Sequence, residues 1–84
     1  MSFIARLEKS IEKKEKAIEK EKNKIEDLKT KLDAKSITRA EFNIKKKRLD
    51  EKIRSMDSRV RVLQGAITKE KKHQEEKEKE KENK

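Results

Sequence analysis

The side chains that could support covalent or metal chemistry are few. His73 is the only histidine and sits in a run of Lys, Glu and Gln, where a solvated ring is the expectation. Glu12 with Glu15, and Glu75 with Glu78, have the spacing that puts two carboxylates on one helical face. No histidine accompanies either pair, so a carboxylate-bound metal is not expected. Cysteine is absent, which excludes thiolate chemistry, a zinc–thiolate site and a disulfide framework. No catalytic residues, no metal and no cofactor are therefore expected, and the chain reads as non-enzymatic. What it holds in excess is positive charge: Lys+Arg number 27 against 18 Asp+Glu, a net +9. Ammonium and guanidinium groups brought together on one surface bind polyanions, so the question becomes which elements gather them.

Composition narrows those elements. Of 84 residues, 54% are charged and 29% hydrophobic, with no Pro, one Gly (Gly65), no Trp and no Tyr. A chain this short makes at most one small domain, and so few apolar residues cannot fill a conventional globular core. Lys, Glu, Arg, Ile and Leu predominate, the composition of long helices that meet along a narrow seam. The longest apolar run is Phe3-Ile4-Ala5, so no signal peptide or membrane insertion is expected, and the expected location is cytoplasmic.

The apolar residues repeat by sevens. Ile4, Ile11, Ile18, Ile25 and Leu32 take position a of a heptad, with Leu7 and Leu28 at d. Further on, Phe42, Leu49, Met56 and Leu63 hold d, and Ile53, Val60 and Ile67 hold a. One phase runs from Ile4 to Ile67, enough for a single rod about 95 Å long. The segment 33–42 argues for a bend instead. Thr38 and Glu41 have capping-box spacing, and Ile37 and Phe42 stand at the two positions of a hydrophobic staple. A helix start at Thr38 follows. The first arm, about 2–34, has no glycine for a left-handed cap and is expected to end loosely near Ala34. A turn at 35–37 makes the second arm, 38–67, its antiparallel neighbour, each arm about 45–50 Å long. The fold class is all-α: an antiparallel two-helix coiled-coil hairpin, with dimerisation or exchange of arms between two chains left open.

Leu28, Leu32, Ile37-Thr38, Glu41-Phe42, Lys46 and Leu49 resemble the short C-terminal hairpin domain often called SHOCT. Its pattern runs Leu-x3-Leu, a glycine-containing turn, Ile-Thr-x2-Glu-Phe, then Lys and Leu. The similarity covers residues 28–49, about a quarter of the chain. Lys35 or Ser36 stands where that family has glycine, and both arms here run longer. The resemblance implies a helical hairpin used for oligomerisation or docking, without enzymatic activity.

From Thr68 onward the seam pattern stops. Residues 68–84 form a Lys/Glu-rich extension, either a frayed helix supported by pairs such as Glu75 with Lys79 or a disordered segment.

In the hairpin, residues whose numbers add to about 74 face each other. Leu32 then meets Phe42, Ile25 meets Leu49, Ile18 meets Met56 and Ile11 meets Leu63. Lys14, Glu21 and Lys46 are polar intruders in the seam; the lysines can run their stems along it, and Glu21 can reach Lys24 or Lys52. In an antiparallel pair, e flanks e and g flanks g. On the e side, Lys22 and Lys29 approach Asp50 and Asp57, while acidic b positions on one arm (Glu12, Glu19, Glu26, Asp33) balance basic ones on the other (Lys47, Arg54, Arg61). The g side is not balanced. Lys24 and Lys31 face Lys45, Lys52 and Arg59, with Arg6, Lys13, Lys20 and Arg48 at the adjacent c positions and Asp27 as the lone anion.

Such an edge suits a phosphate polymer, because neutralised phosphates release condensed counterions. Nucleic-acid contacts are expected from Lys24, Lys31, Lys45, Arg48, Lys52 and Arg59. Neither exposed aromatics for base stacking nor a helix-turn-helix pattern is present, so the contacts would be to backbone phosphates and indifferent to sequence. The partner would be DNA ahead of RNA, in an architectural, nucleoid-associated role. The alternative is a structural or adaptor coiled coil that self-assembles or docks a protein. Phe3, Val62 and Ala66, toward the open end, would serve such an association. Peripheral attachment to an anionic membrane ranks below both, because no apolar face is wide enough to insert.

Overall fold

In a computed structural model the chain forms two antiparallel helices, α1 (Phe3–Asp33) and α2 (Arg39–Glu82). The structure describes residues 2–82, with the side chains up to Lys77. The Cα atoms span 72 × 19 × 14 Å, the proportions of a rod two helices wide.

The heptad pattern explains the packing. Ile18, Ile25, Leu28 and Val60 are the buried apolar residues, each stabilising the pair by about 1.5–3 kcal/mol. The flanking a and d residues, from Ile4 and Leu7 to Leu63 and Ile67, are half-buried. No side chain falls below 2% exposure among the described residues, because a seam one layer thick leaves every core residue near an edge. Exposed Lys35 and Arg39 are the exceptions to the phase, since the turn carries them away from the seam.

Both helix starts are capped. The Ala5 amide donates to Ser2 Oγ at 3.1 Å, and the Glu41 amide to Thr38 Oγ1 at 3.1 Å, as the capping-box spacing at Thr38 requires. Ile37 and Phe42, the staple positions, are both half-buried. The end of α1 corrects the expectation of a loose finish. The Ser36 amide donates to the Lys31 carbonyl at 2.8 Å and the Lys35 amide to the Leu32 carbonyl at 3.0 Å. This is a complete Schellman cap. Lys35 supplies its left-handed residue, with φ 60°, a conformation that a Cβ makes unfavourable. The two carbonyl bonds hold the turn in the absence of glycine.

α2 also runs further than the seam pattern suggests. It passes Ile67 and Thr68 without interruption and continues to Glu82, 44 residues against the 31 of α1. Glu70 is half-buried at the next d position, so the seam gains a layer whose polar residue hides it from an apolar count. Lys79 of the expected Glu75–Lys79 pair, and residues 83–84, lie outside the described side chains and residues respectively.

Candidate nucleic-acid interface

The seam fixes which positions line each edge. Along the g and c edge, α1 presents Lys24, Asp27 and Lys31, and α2 presents Lys45, Arg48 and Lys52. These six side chains flank an open groove of about 420 Å³ whose remaining lining is Leu28 and Leu49. Five of the six residues expected to contact nucleic acid thus share one concavity. Arg59, the sixth, lies apart from it, in a hollow nearer the open end with Lys14, Ser58, Val62 and Leu63. The reason is its heptad step: it stands seven residues, about 10 Å, beyond Lys52 along α2. A third hollow is lined by Arg6, Lys9, Ser10 and Lys13. By heptad position all three lie along the same side, and together they hold ten basic residues against one carboxylate.

The heptad phase puts Lys14 in the seam and Lys9 on the outer f row, away from the g edge. Lys14 is half-buried, as a d residue should be, yet its Nζ donates to Ser10 Oγ at 3.1 Å and so turns toward the g edge. Lys9, an f residue, reaches the edge from the neighbouring row. The contour of the groove also lies beyond pattern reading: its leucine lining comes from d residues beneath a charged rim.

The cations of this edge are mostly unpaired. Among the described residues, Lys31, Lys45, Arg48, Lys52 and Arg59 take part in no ion pair, and only Lys24 does, with Glu21 at 3.2 Å. Like charges on facing helices repel, and the apolar seam between them offsets that cost. The e and b edge is arranged otherwise. A hollow there is lined by Asn43, Lys46, Lys47, Asp50, Glu51 and Arg54, three basic groups against two acidic. Lys46 pairs with Asp50 at 2.8 Å and Lys29 with Glu26 at 3.3 Å. The expected pairing of Lys22 and Lys29 with Asp50 and Asp57 across the helices is not formed: Lys29 and Asp50 each pair one turn away on their own helix, and Lys22 and Asp57 take part in no ion pair among the described residues.

Of the other candidates for chemistry, Glu78 lies outside the described side chains. His73 is exposed, and Glu12 pairs with Lys16 at 3.3 Å. No group of three or more potential ligands for a metal ion is found among the described residues. No described helix is long and apolar enough to cross a membrane. Phe3, Ile44 and Val62 are exposed apolar side chains at 55%, 58% and 72%, whereas Ala66 is half-buried. No protein-family model, curated protein or solved structure matches this chain.

Proposed function

We propose that this chain is a non-enzymatic, basic coiled-coil hairpin that binds nucleic acid, DNA ahead of RNA, through backbone phosphates and without reading sequence. Its role is architectural, in the cytoplasm and in association with the nucleoid. One observation carries the reading: five cations from two helices converge on a single groove that holds one carboxylate. Four of those five have no ion-pair partner among the described residues, so a phosphate polymer meets little internal competition. The Arg48 guanidinium can take a phosphate through two parallel bonds, while the lysines act as point charges. The leucine lining offers no stacking platform, which favours a duplex over an unpaired strand.

A gel-shift series across salt, with duplex DNA, RNA and heparin, tests this. Contacts from the four unpaired groove cations give a slope of log affinity against log salt of about −3.6, and Lys24 as a fifth contact brings it to about −4.5. A slope shallower than about −2 leaves too few contacts and rejects the reading.

The exposure of Phe3, Ile44 and Val62 favours a second reading, an adaptor that docks a protein or self-associates. Under that reading, association weakens when any of the three is replaced by Ser, and phosphate polymers do not compete.

A further inference from the structure

Lys24 differs from the other groove cations. Its Nζ donates to Glu21 Oε1 at 3.2 Å, one turn back along α1. Glu21 stands at a d position and is only 9% exposed, the single buried charged residue among those described. Its other oxygen, Oε2, is buried with no hydrogen-bond partner. A carboxylate drawn from water holds its few donors tightly, because each lost bond leaves a desolvated charge. Lys24 is the only donor to the Glu21 carboxylate among the described residues.

We propose that Glu21 is an internal stand-in for phosphate: it occupies the Lys24 ammonium in the free hairpin, and a nucleic-acid backbone must displace it to use the whole groove. The inference rests on the phosphate-binding reading of the groove and adds a device that weakens that binding. It also links the ridge to the seam. Phosphate that draws Lys24 outward strips the buried carboxylate of its donor, so occupying the ridge loosens the layer beneath. A Glu21 that merely sets helix register would act on stability alone and leave phosphate affinity unchanged.

The experiment is a double-mutant cycle in the full chain, read by duplex DNA binding across salt and by thermal melting of the free protein. Glu21→Gln keeps the shape and removes the charge. It tightens binding about twofold to fivefold at low salt, the range of a half-exposed ion pair released. It also steepens the salt slope by about 0.9, one added phosphate contact. Both effects vanish when Lys24→Gln is already present. In free protein, Lys24→Gln lowers the melting temperature, and the loss disappears once Glu21→Gln is added. Asp27→Asn is the control, since it removes from the same groove a carboxylate that has no ion pair among the described residues. It tightens binding without changing the slope. Equal slopes for Glu21→Gln and the unmodified chain, a gain that persists without Lys24, or a slope change from Asp27→Asn as large as from Glu21→Gln would each overturn the proposal. Absence of binding by the unmodified chain sinks the groove reading as well, whereas binding with an unchanged slope sinks only the role of Glu21.

Discussion

The two long edges of the hairpin are cut from the same pair of helices and the same residue types, yet they treat charge in opposite ways. On the e and b edge, basic and acidic groups alternate within reach, and three of the four ion pairs lie on that side or its flank. On the g and c edge, cations face cations and one carboxylate stands among them. Net charge does not distinguish these arrangements; position does. An evenly mixed rod with the same +9 would be equally soluble and would lack a polyvalent face. Four of the five groove cations keep no ion-pair partner among the described residues, beside an edge whose charges are largely paired or interspersed.

Reversing charge on each edge in turn breaks the comparison most directly. Lys24, Lys45, Lys52 and Arg59 changed together to Glu lower duplex affinity about 100-fold or more, since most phosphate contacts are lost and the replacements repel the backbone. Circular dichroism should show helicity retained, because these side chains flank the seam without filling it. The same change at Lys22, Lys29, Lys47 and Arg54, on the other edge, lowers net charge equally and reduces affinity less than about tenfold, through long-range attraction alone. Equal losses from the two sets would mean that total charge, and no particular edge, binds the polymer.

A second contrast concerns backbone freedom. Lys35 holds a left-handed conformation that favours glycine, while the only glycine, Gly65, lies inside α2 with open space where a Cβ would stand. Lys35→Gly should stabilise the hairpin by about 0.5–1 kcal/mol, the relief of a left-handed Cβ less the added freedom of the unfolded chain. Gly65→Ala should contribute about 0.8–1 kcal/mol by helix propensity. The sites are remote in the fold, so the gains should add in denaturant melts. Duplex affinity should stay within about twofold, since neither site belongs to the groove; a larger change would extend the binding surface to the turn or the open end.

These particulars show what a single sequence discloses. The hairpin was legible because three local signals agree: heptad phase on both arms, the Thr38 cap, and the Ile37/Phe42 staple. The bias of the g edge followed once the phase was known, since heptad position alone assigns a side. The cap at Lys35 was hidden because its signature residue is missing and the Schellman bonds are made by backbone atoms of any residue type. Glu70 was hidden for a related reason, its layer being seam by position and polar by type. Convergence of five groove residues without Arg59 depends on axial distance, which a pattern of faces does not measure. At Lys29 and Asp50, intrahelical pairing takes the place of the expected bridges between helices, because a partner one turn away orders fewer degrees of freedom than one across the seam.

The smallest expected effect gives the sharpest test of the neutral edge. Asp50 pairs with Lys46 at 2.8 Å, and both side chains are about 40% exposed. Solvent screens such a pair, so Asp50→Asn should cost only about 0.3–0.5 kcal/mol, less at high salt. Its informative readout is binding. The substitution frees Lys46 and leaves its hollow with three basic groups against Glu51, a modest version of the opposite edge. If a contiguous groove is what retains a phosphate backbone, one liberated lysine on the wrong side changes duplex affinity by less than about twofold. A gain as large as that from Asp27→Asn, which removes a carboxylate from the groove itself, would show that the edges differ in degree and that the seam does not divide them into separate surfaces.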